Sequence, residues 1–181
     1  MTRPNNMAPL LSLAPVVVDT ETTGLDVTRA RIVQIGAVRI SSGQICTDDH
    51  FDVLVYPEEP IPAATTAIHG ITDTLVANAN RFGEVADDFT TYMGSAVMVG
   101  HNIGFDIAML KREFELSGIV WTAPVSLDTM VLSRVANPRL PNFALEVIAS
   151  WLGVPVKNRH SALGDALTTA RIYLALLPLL R

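Results

Sequence analysis

The sequence predicts an α/β fold: a mixed sheet, antiparallel across its first three strands, with helices packed on its faces. Three observations predict it. Residues 15–56 hold three β-type runs separated by turn residues. From residue 81 onward, short apolar runs alternate with helical periodicities. The chain has 181 residues, 49% of them apolar, which suits one core. Residues 1–12 read as a loose tail and 13–181 as a single domain.

The elements follow in order. Pro15–Thr20 is β-branched and runs into the turn residues Thr22, Thr23 and Gly24. Arg31–Ile40 alternates apolar and polar residues and ends at Ser41, Ser42 and Gly43. Gln44–Tyr56 resumes strand character with Phe51, Val53 and Val55 on one face. The proline-rich piece Pro57–Pro62 reads as a loop. Arg81–Met93 spaces Phe82, Val85, Phe89 and Met93 by three or four, an amphipathic helix. Ala96–Gly100 is a short buried strand, and Asn102–Ser117 a helix closed by Gly118. Val125–Leu127 is another strand, followed by a helix over Asp128–Val135. Asn142 is expected to cap a helix over Phe143–Leu152, closed by Gly153. The last helix runs over Ser161–Leu177 and ends at Pro178.

Charge excludes one class of protein. The formal net charge is −5 and the pI about 5.2. A protein held to nucleic acid by a broad basic surface would have the opposite balance. The acids are concentrated in residues 1–90, which hold 12 against 5 bases, whereas residues 91–181 hold 6 against 8. A single cysteine, Cys46, excludes an intrachain disulfide and fits a reducing compartment. The first 18 residues faintly resemble a signal peptide, but Pro9 and Pro15 interrupt the apolar stretch. No apolar run approaches the ~20 residues of a membrane span. The expected localisation is cytoplasmic, with no membrane partner.

Four acids stand apart from the rest. Asp19 and Glu21 lie two apart at the end of the first strand and so point to one face. Taken alone they are more simply a strand end meeting solvent. Asp106 falls in the first turn of a helix, where the helix dipole by itself would favour an acid. Asp165 lies on the last helix among Leu163, Ala166, Leu167 and Ala170, where an unpaired acid is expensive. His160 precedes it by five residues, in the entry to the same helix. Four carboxylates offer hard oxygen ligands suited to Mg²⁺ or Mn²⁺ rather than Zn²⁺. Two such ions support phosphodiester hydrolysis, and a histidine is a suitable base for water.

The segments VVVDTETTGLD, RIVQIGAV, AIHGIT, VGHNIGFDIAML, SLDTMVLSR and RHSALGDALTTA together resemble the DnaQ-like 3′–5′ exonuclease family, in its order. The resemblance covers roughly residues 14–177, and the spacing of His160 to Asp165 resembles the DEDDh branch. It implies a ribonuclease H-like fold and a catalytic set of Asp19, Glu21, Asp106, His160 and Asp165. Asp19 would bridge two divalent ions, Mg²⁺ or Mn²⁺. Glu21 and Asp165 would complete the first ion's site, Asp106 would serve the second partly through water, and His160 would deprotonate the attacking water. The resemblance also assigns Thr22, Leu25, His69 and Phe105 to the terminal nucleotide. Leu25 and Phe105 could equally be core, and His69 could order a turn. Arg134, Arg139, Lys157 and Arg159 are candidates for a backbone track, or simply a solvated face.

The expected function is therefore hydrolysis from 3′ ends of single-stranded nucleic acid, DNA before RNA, releasing nucleoside 5′-monophosphates. An RNA-trimming enzyme of the same family is the alternative, and a non-catalytic binding module a more distant one. A polymerase or another replication or repair protein is the expected protein partner. A proofreading subunit like the polymerase III epsilon subunit would carry a Gln-led clamp peptide. The two glutamines, Gln34 and Gln44, both lie in strands, so a free-standing exonuclease, or one recruited by its own surface, is expected. LPNFALE (Leu140–Glu146) departs from the usual start of its helix in that family.

Overall fold

A computed structural model describes residues 14–180. The expected tail over residues 1–12 lies outside the described residues. Within them five strands form one sheet in the order β3-β2-β1-β4-β5. The strands are β1 (Val16–Thr22), β2 (Ile32–Ser41), β3 (Gln44–Leu54), β4 (Met98–Gly100) and β5 (Ser126–Asp128). β2 pairs antiparallel with β1 and β3, and β4 pairs parallel with β1 and β5. This is the mixed sheet the sequence predicts, its first three strands antiparallel.

β1 lies in the middle of the sheet, and its Val-Val-Val run is buried on both faces. Val16 and Val18 join Ile35, Phe82, Phe89 and Leu110 in one core layer. Val17 joins Val38, Val99, Ala170 and Tyr173 in the other. The first layer is covered by α3 (Phe82–Met93) and α4 (Ile103–Leu116), the second by α7 (Ala162–Leu176). α5 (Thr129–Ala136) and α6 (Leu145–Leu152) pack outside α7, with Leu145, Ile148, Ile172 and Leu176 between them.

Three parts of the chain differ from the sequence expectation. Two helices precede α3: α1 (Ala63–His69) and the single turn α2 (Asp73–Val76). α1 has no buried residue, so it leaves no apolar stripe to read. α6 begins at Leu145 rather than Phe143, because Asn142 Oδ1 accepts the Ala144 N–H inside a preceding turn. Pro178 does not simply stop α7; it sits inside a 3₁₀ turn, Leu177–Leu179, that continues it. Ala162–Leu179 is long and apolar enough to cross a membrane by composition, and most of that stretch is buried in this core.

Two close contacts fix where the helices meet the sheet. A Cβ on Gly36 would lie 2.1 Å from Leu163 N and 2.2 Å from Ala162 C. Gly36 pairs directly with Asp19 across β1 and β2, so α7 begins against the backbone beside that acid. Ala162 N–H donates to Gln34 Oε1 (3.1 Å), whose amide donates to Asp52 on β3. A β2 side chain thus caps a helix whose own Ser161 provides no cap. On the other face, the fully buried Glu113 of α4 accepts from Arg31 Nε and Nη2 and from Ile32 N–H. That satisfied buried pair docks α4 at the start of β2.

Candidate active site

The site forms where β1 outlasts its parallel neighbour. β4 pairs with Val16 and Val17 only, so beyond them one edge of β1 is open. Asp106, in the first turn of α4, takes up that edge: its Oδ1 accepts Thr20 N–H (2.9 Å) and Thr20 Oγ1–H (2.7 Å). Thr20 shares a face with Val16 and Val18 and faces α4, whereas Asp19 and Glu21 share a face with Val17 and face α7. α7 delivers Asp165 to that second face. The strand end thus meets an acid from each layer, Asp106 hydrogen-bonded to it and Asp165 beside its carboxylates.

Oxygen atoms of Asp19, Glu21 and Asp165 lie within 4.8 Å of one another. Asp165 and Asp106 are 3% and 4% exposed. Such crowding holds protons. Burial raises Asp19 well above the usual carboxylate range, and the charges of Asp106, Asp165 and Glu21 raise it further. Burial and then Asp165 raise Glu21 to about 7. Burial raises Asp106 to about 7 against the opposing Thr20 hydrogen bonds, with Asp128 adding repulsion. Burial raises Asp165 too, partly offset by Arg159 and by the His160 backbone N–H.

A divalent cation fits this donor set. All ligand atoms are carboxylate oxygens, the choice of a hard ion. Asp165 Oδ1 is buried without a hydrogen-bond partner, which a native site explains by an ion, a water or a functional role. Asp19, Glu21 and Asp165 would hold that ion, with Asp106 adjoining them.

The proton load has a measurable consequence. An acid whose folded-state pKa is raised makes the folded state bind more protons than the unfolded one, so stability falls as pH rises through that window. For Glu21 the window runs from the ordinary 4.5 to about 7. Without metal, Glu21→Gln should therefore gain melting temperature over the native chain as pH rises from 4.5 to 7. Thermal denaturation of both across that range checks this; a difference that is flat or shrinks with pH contradicts it. Mn²⁺, which needs the ionised form, should stabilise the native chain more at the upper end.

The remaining expected residues divide. His160 stands in the loop before α7 with φ +62, and its backbone N–H reaches Asp165 Oδ2 (3.2 Å). Leu25 is 87% exposed, so it is not core. Phe105, in the first turn of α4, is half-buried against the first core layer. Thr22 is buried and donates its hydroxyl to Gly24 O (2.7 Å), so that group shapes the turn. His69 ends α1, and its Nδ1 accepts Ile71 N–H (3.0 Å), the turn-ordering role. Its Nε2 is buried with no hydrogen-bond partner. Burial pushes this imidazole below the usual histidine range, nearby His160 adds to that, and the Thr22 backbone opposes it. The ring lines a cavity together with Gln34 and Ser161.

Arg159 does not simply face solvent. Its guanidinium bonds Asp165 Oδ2 and Glu146 Oε1. Two further groups carried no isolated signal in the sequence. Thr20 owes its role to the open strand edge. Asp128 caps α5 through Met130 N–H and also accepts Asn102 N–H, fixing the turn into α4. Beside it, His101 Nδ1 meets Thr129 Oγ1 at 2.9 Å, which ties the two βα turns together.

Strand order, layers and the carboxylate cluster define the class first: a ribonuclease H-like fold that carries a candidate divalent-metal site at the end of its central strand. The chain belongs to the exonuclease family; the RNase T family model, described as Exonuclease, matches residues 16–173. It is 46% identical over 176 residues to a "DNA polymerase III subunit epsilon-like protein" of Rhodobacter capsulatus, covering 96% of this chain. It is 36% identical over 157 residues to a "DNA polymerase III PolC-type" of Clostridium perfringens, covering 87% of this chain. The chain spans only 25% and 11% of the lengths of those two relatives. Among solved structures it resembles "Exonuclease X in complex with 5' overhanging duplex DNA", with TM-score 0.73, 27% identity and 90% of each chain covered.

Proposed function

We propose that the chain is a divalent-metal-dependent 3′–5′ exonuclease acting on single-stranded DNA ends and releasing nucleoside 5′-monophosphates. The observation that carries this reading is the Asp19–Glu21–Asp165 oxygen cluster with Asp106 adjoining it and His160 at its rim. The names of the polymerase III relatives and of the Exonuclease X complex favour DNA over RNA. The names of the two polymerase III relatives support a replication or repair polymerase as the protein partner.

Two bound divalent ions, Mg²⁺ or Mn²⁺, would supply an activated water and neutralise the charge that develops on the phosphate. The chain's own groups do the rest. Asp19, at the centre of the four acids, would serve both ions; Glu21 and Asp165 would complete one site and Asp106 the other. His160 takes the proton of the attacking water. Exposed Leu25 would wedge against the terminal base, and Phe105 and His69 would contact its base or sugar. Thr22 contributes backbone atoms, because its hydroxyl is engaged by Gly24.

His160→Ala should lose about 10²–10⁴ in rate, the usual worth of a general base. Its stabilisation by Mn²⁺ should persist. Digestion of matched single- and double-stranded DNA and RNA, labelled at the 5′ end, checks direction and substrate together. The label should stay on progressively shorter DNA single strands. Full activity in His160→Ala, or early release of internal fragments, contradicts the reading.

A further inference from the structure

The two oxygens of Asp165 have different surroundings. Oδ2 accepts an Arg159 guanidinium N–H and the His160 backbone N–H. Oδ1 is buried and unpartnered. Arg159 is held from its other side by Glu146, in the first turn of α6. Glu146, Arg159 and Asp165 therefore form a continuous link from α6 to α7 through the loop that carries His160. That loop needs holding. Asn158 and His160 both adopt left-handed backbone angles, φ +51 and +62, that residues with side chains rarely adopt. It also lies so close to α7 that a Cβ on Gly164 would come 2.1 Å from Asn158 O.

We propose that Arg159 is a positioning residue of the metal site: clamped by Glu146, it turns Asp165 so that Oδ1 is the oxygen offered to a divalent cation, and it fastens that ligand to the backbone of His160. The proposal rests on the metal-dependent nuclease reading above. An arginine suits the task because its planar fork serves two carboxylates at once, which the point charge of lysine does not. Its positive charge need not repel an incoming cation, because the Glu146 carboxylate bonded to it balances that charge. Carboxylate ligands are commonly oriented by such outer hydrogen bonds, whose loss weakens metal binding about 10–100-fold.

The test is calorimetric titration of the 181-residue chain with Mn²⁺. The native chain is compared with Arg159→Ala, Arg159→Lys and Glu146→Gln, and Asp19→Asn serves as the reference for the site itself. Arg159→Ala should bind Mn²⁺ about 10–100-fold more weakly. Arg159→Lys should recover part of the loss. Glu146→Gln should show a smaller loss in the same direction, and its side chain is 52% exposed, so the fold should tolerate the change. Unchanged or tighter binding by folded Arg159→Ala overturns the proposal, since the guanidinium would then be a bystander or a competitor of the metal. If Arg159→Ala does not fold, unchanged affinity in Glu146→Gln overturns it instead. A native chain that binds no Mn²⁺, or that Asp19→Asn matches, overturns both the proposal and the nuclease reading, which separates the two failures.

Discussion

Asp19→Asn should lose at least about 10³ of the nuclease rate while melting at a higher temperature than the native chain when no metal is present. Both effects come from the same place. Asp19 is the acid on which the other three act: burial raises its pKa most, and Asp106, Asp165 and Glu21 each add repulsion. Turning it into an amide keeps its shape and removes one of four crowded acids, so the metal-free fold gains. The price is function, because in the proposed mechanism Asp19 would serve both ions. Metal ions contribute several kcal/mol of charge stabilisation in such reactions, and each 1.36 kcal/mol is tenfold in rate. A nuclease assay beside thermal denaturation with and without Mn²⁺ tests both halves. Retained activity would remove Asp19 from the centre of the site. A lower metal-free melting temperature would show that its charge is compensated by something other than metal.

Gly36→Ala should cost about 3 kcal/mol or more, the upper range for overpacking, because the added methyl meets backbone rather than a mobile side-chain end. At 2–4 °C per kcal/mol for a chain of this size, the melting temperature should fall by roughly 6–12 °C. The damage should not stop at stability. Gly36 pairs with Asp19, and the atoms it would strike belong to Ala162 and Leu163, the first residues of α7. Relief of the clash moves the start of α7 off the sheet, and Asp165 and the His160 loop move with it. Residual activity should therefore fall even where the variant is fully folded, and Mn²⁺ should stabilise it less than the native chain. A folded Gly36→Ala with native Mn²⁺ response would show that α7 can shift without disturbing the acids.

Much of this architecture is legible in local pattern. The three β-type runs, the amphipathic period of Phe82–Met93 and the strand-then-helix alternation gave the strands and the longer helices to within about two residues. They did so because each element buries one face, and burial writes its period into the sequence. α1 escaped because it buries nothing, and α2 because one turn has no period. The four acids and His160 were legible through block spacing. Arg159 was visible as a cation, but its two partners, Glu146 and Asp165, sit on different helices and leave no local pattern. Glu113 would pass for a solvated helix acid; only the fold brings Arg31 and Ile32 N–H to it.

The sequence by itself determined the acids, their order and the strand and helices that bear them. Asp19 and Glu21 share a face by strand alternation, and His160 and Asp165 share a helix entry by proximity along the chain. The tertiary structure decided which oxygens meet. Only because β4 stops early does Asp106 bond Thr20, and only because Gly36 lacks a side chain does α7 come close enough to set Asp165 beside Asp19. Those contacts join residues more than 80 positions apart, which no local period encodes.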